Sequence, residues 1–400
     1  MKIAEIKEFI TTIPYNKVSL KDLLSFEKTK VNILLAVVTV SFLAMFIIGV
    51  AIYLSHGHHA YNVTREHPWG LLIAVYIFFV VSSTGLCIVG SLGDVFGFKD
   101  YMEISKRAIF GSIVTIMAGF AVIAFEIGHP VTMLIYNVLT PGFTSAIWWM
   151  GTLYGLYLTF MIIEFIFLLK NDMKMARYFG LTGLLVGLAA HSNLGGVFGF
   201  LNARTISNGV FYPTYFILTA FITGIYLAFI MYGFRYKLDF TQSATKMLSN
   251  LAKIQGLLLS ILIFFVTWKM LTDIYGGMPN RSEVAIHILQ SWTFWAEVFL
   301  AMIIPLVLII ASSGQSIKAL FWASLSGMVG IFFMRYNLVH DTQLKPLQML
   351  KTTEYQLVPT WVEYFPSSTE IMISLGGVGL CLFLYYLGTK LFNLDAATTH

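Results

Sequence analysis

Ten long apolar runs constrain this chain more than any other feature of its sequence. A helix needs about 20 apolar residues to cross a bilayer, and hydrophobic residues make up 58% of the 400 residues while charged residues make up 11%. Backbone groups in lipid must be satisfied within their own segment, so each run predicts a helix. We therefore expect an all-α polytopic membrane protein with spans at 31–54, 69–91, 108–128, 145–169, 178–201, 211–234, 251–273, 290–311, 317–335 and 369–391.

The remaining segments are polar or too short to cross a membrane. Residues 1–30 carry six lysines and fit, in part, an amphipathic helix on the membrane surface. Residues 31–391 form the transmembrane domain, within which 336–368 is a long loop expected to dock a partner. Residues 392–400 form a tail, and 130–144 is expected to be a surface or re-entrant element.

Positive charges are divided unevenly between the two sides that ten spans define. With the amino terminus inside, eighteen of the 25 Lys and Arg residues fall on the inner side and seven on the outer side. Because cytoplasmic loops are enriched in Lys and Arg, we expect both termini in the cytoplasm. The loop 336–368 is then on the outer face of the cytoplasmic membrane.

A histidine and a glutamate fall at related depths in two spans that run outward. His191 lies inside the apolar run 178–201, and Glu126 and His129 lie three residues apart near the outer end of the third span. An ionisable group at such a depth is costly without a partner or a function. We expect Glu126 and His191 to approach each other and to exchange protons with a polar head group. The alternative is a structural hydrogen bond between helices.

Four further ionisable residues fall within spans. Glu164 lies toward the inner third of its span, whereas Asp273, Glu297 and Arg335 lie in the outer half of theirs. We expect Arg335 to pair with one of these two outer acids. The pair is either structural or part of a proton-transfer path, for which Glu164 is a further candidate.

The histidines and cysteines of the sequence do not fit the patterns of known metal centres. His56, His58 and His59 precede the second span without an acid or a thiol among them, so we expect no metal site there. Cys87 and Cys381 are the only cysteines and cannot supply a four-cysteine iron–sulfur site. Since His191 is the one deeply placed histidine, bis-histidine haem ligation is not expected either.

A series of short motifs follows a characteristic order between about residues 60 and 390. The motifs are His67-Pro68-Trp69-Gly70, Glu126-Ile127-Gly128-His129-Pro130, the His191 stretch with Pro213, Phe294-Trp295-Ala296-Glu297 with Pro305, Arg335-Tyr336-Asn337, and Tyr364-Phe365-Pro366-Ser367-Ser368-Thr369-Glu370. Their order and spacing resemble the NrfD-like family of polysulfide-reductase-type membrane subunits. The likeness is to the long branch with hydrogenase-type anchors and the membrane subunits of alternative complex III. Glu126 and His129 stand where the family more commonly has aspartate and arginine.

The resemblance implies a quinone-binding subunit, without haem or iron–sulfur cluster, built as two four-helix bundles plus flanking helices. Electrons would pass between a membrane quinone and a ferredoxin-like iron–sulfur subunit on the outer face. A molybdoenzyme, a hydrogenase or a multihaem cytochrome would lie beyond it. We expect quinone binding and proton exchange at Glu126, His191 and His129, with Trp69 and Ser192 in support.

Two other functions remain open at this point. Ten spans with buried acids also suit a secondary transporter, which would move its substrate without any partner. A purely structural anchor would bind no quinone. Whether protons are translocated is not decided by the sequence, and Glu164, Asp273, Glu297 and Arg335 are the residues we expect to carry them if they are.

Overall fold

The computed structural model describes residues 13–23, 25, 27, 29–239, 241–278, 280–346 and 361–394. Within these residues the regular structure is helical, and ten helices are long and apolar enough to cross a membrane, which confirms the predicted fold class. They are α1 (Lys30–His56), α2 (Leu71–Asp94), α3 (Met102–Ile123), α4 (Ala146–Leu169), α5 (Met173–Gly199), α6 (Phe211–Arg235), α7 (Gln242–Tyr275), α8 (Trp292–Ala311), α9 (Ile317–Asp341) and α10 (Ser368–Leu391).

Small polar residues begin most of these helices. Their side chains accept a hydrogen bond from a backbone N–H of the first turn, where N–H groups lack a partner within the helix. The residues are Thr29, Ser145, Asp172, Thr241, Ser291, Ser316 and Ser367. Ser367 forms a full capping box with Glu370. The carboxyl group of Glu370 is thereby held over the start of α10.

Several helix limits differ from the predicted ones. The third span was predicted to run to residue 128, but α3 ends at Ile123 and the chain turns before the short helix Pro130–Leu139. Glu126 and His129 therefore do not share a helix face. A second short helix, Arg281–Gln290, was not predicted and lies between α7 and α8. The second span was predicted to end at residue 91, but α2 extends to Asp94.

The helices pack as two groups of four with one flanking pair. α2 to α5 form the first bundle and α6 to α9 the second, as the family resemblance implies. The bundles meet mainly where α2 packs along α6, and there Gly85 and Gly224 bring the two backbones together. α1 and α10 pack on each other, and α10 also packs on α3.

A π-helical turn interrupts α8 at Val298–Ile303, directly after Glu297. Pro305 has no N–H to donate to the carbonyl of Ala301, four residues before it. The hydroxyl of Tyr226 on α6 donates to that carbonyl instead, at 2.7 Å. Such turns often lie at functional positions, and this one directly follows a buried acid.

The loops define two sides of the helix bundle. We call the side that carries His58, His67 and His340 the histidine side, and the opposite side, with Lys106, the lysine side. The positive charges predict that the histidine side faces outward. Half of the predicted amphipathic segment 1–30, including residues 1–12, lies outside the described residues. Residues 395–400 of the tail and 347–360 of the predicted docking loop lie outside them as well.

Candidate functional site

Glu126 lies in the turn that follows α3 on the histidine side. Its backbone carbonyl lies 2.8 Å from Nε2 of His58. Its side chain is partly buried, and within the described part of the chain the Oε2 atom is buried without a hydrogen-bond partner. A buried carboxyl oxygen normally has a donor. This atom is therefore an acceptor available to a ligand hydroxyl.

Aromatic side chains surround this turn, and we call them the aromatic corner: Phe46, Tyr53, Tyr61 and Phe125. The rings of Tyr53 and Tyr61 stack with centroids 5.5 Å apart, and Phe125 meets Tyr53 edge-on at 5.8 Å. The Tyr61 hydroxyl donates to the carbonyl of Phe125 at 3.0 Å. Burial, and then the charge of Glu126, raises the pKa of Tyr61 well above its usual value. Tyr61 therefore remains a hydroxyl donor.

Glu370 is the charged group that acts electrostatically on Glu126. Its oxygens accept from the backbone N–H groups of Asn62 at 3.1 Å, Leu71 at 3.2 Å and Ser367 at 2.9 Å. The Tyr364 hydroxyl donates to it as well. Four donors stabilise the ionised form of a carboxylate. Glu370 thus ties α10 to the start of α2 and places a fixed negative charge beside the turn.

The two carboxyl groups together set the proton affinity of Glu126. Burial raises the pKa of Glu126 to about 7, and the negative charge of Glu370 adds to the effect. Both causes disfavour the ionised form. A group with such a pKa both gains and loses a proton near neutral pH, as acid–base catalysis requires.

A histidine pair adjoins Glu370. The ring of His67 stacks on Tyr364 with centroids 4.3 Å apart, and its Nε2 lies 3.2 Å from Nδ1 of His340. Burial, followed by His340 and Arg204, lowers the pKa of His67 to about 4, so the ring is neutral at pH 7. Glu370 was predicted only as the last residue of the Tyr364 motif, and neither it nor His340 was predicted as a site residue. The Ser-x-x-Glu pattern of the capping box was a readable signal for Glu370.

Trp69 connects the histidine side to the interior. The side-chain amide of Gln343 brackets its backbone, accepting from the Trp69 N–H at 2.9 Å and donating to its carbonyl at 3.0 Å. The indole ring meets Phe198 edge-on at 5.5 Å, and Phe198 stacks near Phe216 at 6.3 Å. The next ring is that of His191, 5.4 Å from Phe216. An unbroken aromatic series therefore joins Trp69 to His191.

His191 is fully buried in α5 and both of its ring nitrogens have partners. Nε2 lies 3.1 Å from the carbonyl oxygen of Phe216, and Nδ1 lies 3.0 Å from the Tyr154 hydroxyl. A carbonyl oxygen only accepts, so Nε2 carries the hydrogen and Nδ1 accepts from Tyr154. The expected direct pairing with Glu126 is wrong, because His191 faces α4 and α6 whereas Glu126 lies near α1 and α10.

Arg335 lies beside the same cluster, on α9. It donates to the Thr219 hydroxyl at 2.5 Å, and its guanidinium carbon lies 4.7 Å from the ring centre of Phe216. The expected ion pair of Arg335 with Asp273 or Glu297 does not form among the described residues. Other partners hold these acids.

Asp273 and Glu297 each have two partners. Asp273 forms ion pairs with Lys269 at 2.5 Å and Arg281 at 2.7 Å. Glu297 accepts from the Asn337 amide at 2.9 Å and the Tyr215 hydroxyl at 3.3 Å. The residue that the helix register brings to Glu297 from α9 is thus Asn337, two positions beyond Arg335.

The remaining predicted residues lie apart from Glu126. Ser192 donates to the carbonyl of Leu188 at 2.8 Å and lines an apolar groove of about 540 Å³ between α5, α6 and α7. His129 is exposed at the start of the short helix. Glu164 is fully buried in α4 toward the lysine side. Across the described residues no group of three or more His, Cys, Asp or Glu side chains is arranged to hold a metal ion.

Comparisons with known proteins agree with this architecture. The family described as "Polysulphide reductase, NrfD" matches residues 56–346, which include both bundles. The Hdr-like menaquinol oxidoreductase integral membrane subunit of Archaeoglobus fulgidus is 24% identical over 358 residues, 86% of this chain and 89% of the relative. A selenate reductase subunit of Mesobacillus selenatarsenatis is 23% identical over 398 residues, 88% of this chain and 92% of the relative. This multi-pass membrane protein therefore belongs to the NrfD polysulphide reductase family.

Proposed function

We propose that this chain is the quinone-interacting membrane subunit of a respiratory oxidoreductase complex. The family supports this proposal, as do two relatives named as subunits, one of a menaquinol oxidoreductase and one of a selenate reductase. The observation that carries it in this chain is the buried Oε2 atom of Glu126, which has no hydrogen-bond partner within the described residues. Quinone is the substrate, and its type is not specified by these residues.

The quinone ring meets Glu126 at the aromatic corner in this proposal. Glu126 accepts the proton of a quinol hydroxyl, or donates one to a quinone carbonyl, because its pKa of about 7 permits both. The half-buried ring of Tyr53, which is backed by the ring of Tyr61, supplies the stacking surface. His129, exposed after the same turn, exchanges protons with solvent. α1 is largely exposed along its length, so we place the entry of quinone from the lipid beside this helix.

The interior residues take the role of proton transfer. His191, with Tyr154, lies at the end of the aromatic series from Trp69 and has a nitrogen that can accept a proton. Ser192 is next to it on the apolar groove. Glu164, Asp273, Glu297 and Arg335 stay proposed members of a proton path, although the hydrogen bonds and ion pairs of three of them also suit a structural role.

Electrons leave or enter through a partner in this scheme. Two cysteines cannot ligate a four-cysteine cluster, so we propose a ferredoxin-like iron–sulfur subunit on the histidine side and a catalytic subunit beyond it. The distribution of Lys and Arg supports an outward histidine side and cytoplasmic termini, in the cytoplasmic membrane.

The test is the oxidation of a soluble menaquinol analogue by the purified complex, followed in the same preparation by the electron paramagnetic resonance signals of its iron–sulfur clusters. Glu126→Gln keeps the shape of the side chain and removes its proton exchange, so we expect turnover to fall about a hundredfold or more. Glu363→Gln, an exposed carboxyl on the same side, is the matched control. Full activity of Glu126→Gln in an assembled complex contradicts the site. A purified complex that lacks clusters and quinol oxidation contradicts the function.

A further inference from the structure

Two buried carboxyl groups face each other near the lysine side, far from the aromatic corner. Asp94 is the last residue of α2, and Glu164 lies on α4. The side chains are 0% exposed and interact directly with each other. Asp94 lies beyond the predicted end of the second span at residue 91, so its pairing with Glu164 was not predicted.

Only one of the four carboxyl oxygens of this pair accepts a hydrogen bond within the described residues. Oδ1 of Asp94 accepts from the backbone N–H of Val95 at 2.8 Å. Oδ2 of Asp94 and both oxygens of Glu164 are buried and have no donor that meets hydrogen-bond geometry within the described part of the chain. Three unpaired carboxyl oxygens in one place need a positive charge or a proton.

The surrounding charges favour a proton, and they favour Glu164 as the group that holds it. Arg177 on α5 donates to the backbone carbonyl of Asp94 at 3.2 Å, so a cation lies on the side of Asp94. Lys106 on α3 donates instead to Asn171, at 3.2 Å. Cys87, on α2, is the other titratable group that faces the pair. Adjacent buried carboxyls cannot both ionise, so Asp94 is the carboxylate and Glu164 the acid.

Close packing argues against a bound metal cation. A Cβ atom added to Gly180 of α5 would collide with Oε1 of Glu164, and would lie 2.9 Å from the Val95 side chain. The carboxyl group therefore fills the space that this glycine leaves. That packing favours a proton, the smallest cation, over a hydrated metal ion.

We propose that Asp94 and Glu164 form a buried binding site for one exchangeable proton on the lysine side. A cluster of hydroxyl groups follows along the same bundle toward His191. The Tyr157 hydroxyl lies 3.1 Å from that of Ser83 and 2.7 Å from that of Ser112. Tyr157 is one turn from Tyr154, the partner of His191. The site is separate from Glu126 and needs no quinone to bind its proton.

The experiment is infrared difference spectroscopy of the whole complex in membranes, without quinol. The wild type minus Glu164→Gln spectrum is expected to contain one carboxylic-acid C=O band at pH 7 that shifts in D₂O. Asp94→Asn is expected to keep this band at a changed frequency, because the acceptor of the Glu164 proton has changed. Glu103→Gln is the control, since that lysine-side carboxylate accepts from Tyr236 at 2.8 Å and Ser243 at 3.2 Å.

Three results would overturn the proposal. One is a wild type minus Glu164→Gln spectrum without a carboxylic-acid band, and another is a band that does not respond to D₂O. The third is loss of the band on addition of sodium chloride at constant pH, which would identify a sodium site. Glutamine and asparagine preserve side-chain volume, and size-exclusion chromatography of each complex establishes that it is assembled. Because no quinol is present, the result is independent of the proposed quinone chemistry.

Discussion

The Tyr154 hydroxyl donates to Nδ1 of His191 across 3.0 Å, and the opposite ring nitrogen donates to the carbonyl of Phe216. Tyr154 lies on α4, His191 on α5 and Phe216 on α6, so one imidazole connects three helices and both bundles. All three side chains are fully buried. A histidine in this position is a structural link in the resting protein, and the proposed proton transfer would use the hydrogen bond that it already makes with Tyr154.

Replacing either partner is expected to separate these two roles. His191→Ala leaves a hydroxyl and a carbonyl without partners, which costs about 1–3 kcal/mol for each buried group, so thermal stability and turnover both fall. Tyr154→Phe removes one hydroxyl and retains the ring, so we expect a small loss of stability. If proton transfer uses this pair, turnover falls about a hundredfold. Thermal unfolding and quinol oxidation of the assembled complex measure the two effects.

A conservative tyrosine replacement elsewhere, on α5, provides the control for Tyr154→Phe. Tyr178 is 66% exposed, and Tyr178→Phe is expected to change neither quantity. Wild-type turnover in Tyr154→Phe would assign the Tyr154–His191 bond to structure alone.

The pH dependence of quinol oxidation is expected to report Glu126. The pKa of this carboxyl is about 7, and only its ionised form accepts a proton, so the rate rises as pH increases through 7. In the direction of quinone reduction the protonated form is required, and the rate falls over the same range. Initial rates between pH 5 and pH 9 measure this pH-dependent change in rate, which we call the limb of the profile. Glu126→Gln is expected to abolish it, and an unchanged limb would contradict the assignment.

Glu370→Gln is expected to move that limb to lower pH. Glu370 is a like charge that helps to raise the pKa of Glu126, so its neutralisation makes Glu126 easier to ionise. Glutamine is tolerated at this position of a capping box, which preserves the start of α10. The rate profile is compared with that of Glu363→Gln, an exposed carboxyl expected to leave it in place. A limb that stays at the wild-type pH would mean that Glu370 does not act on the group that titrates.

The ten spans were predictable because each needs only a long apolar run, and lipid leaves the backbone no alternative to the helix. Their ends were less accessible. Ala124 and Phe125 continue the apolar composition of α3 after the helix has ended at Ile123, and Asp94 is buried although it follows the predicted end of the second span. Composition does not record where a chain turns.

Individual residues of the candidate site could be selected from the sequence, but their positions relative to one another could not. Sequence provides the depth of Glu126 and His191 along their helices, yet not the direction in which each side chain points around the helix axis. That direction depends on which helices are neighbours: α3 packs on α2, α4 and α10, whereas α5 packs on α4, α6 and α2. Electrostatic interactions such as that of Glu370 with Glu126 join residues that are distant in sequence. Lys269 and Arg281 were likewise not foreseen as the partners of Asp273.

Acid is expected to destabilise the protein partly through His67. The pKa of this buried ring is lowered to about 4, while an unfolded histidine titrates near 6.5. As pH falls from about 6.5 to 4, the unfolded chain therefore gains a proton that the folded chain does not, and stability decreases by about 3 kcal/mol. His67→Gln is expected to flatten this part of a melting-temperature profile, and His59→Gln, at an exposed position, is not. Equal slopes for wild type and His67→Gln would contradict this.

The contact between Gly85 and Gly224 predicts which glycine is essential to the joining of the two bundles. A Cβ atom on Gly85 would collide with the backbone of Ala220 and Gly224, which cannot rotate away as a side chain can. Gly85→Ala is therefore expected to push α2 and α6 apart and to lower stability by about 1–3 kcal/mol, with loss of quinol oxidation as the bundles shift. Gly155→Ala on α4 is the matched control. Its new methyl group meets no atom within 4 Å, and alanine is the better helix former by roughly 1 kcal/mol, so stability should stay equal or rise. The stability of the two variants is compared by their melting temperatures in the same detergent. A Gly85→Ala protein as stable as Gly155→Ala would show that α2 and α6 do not pack this closely.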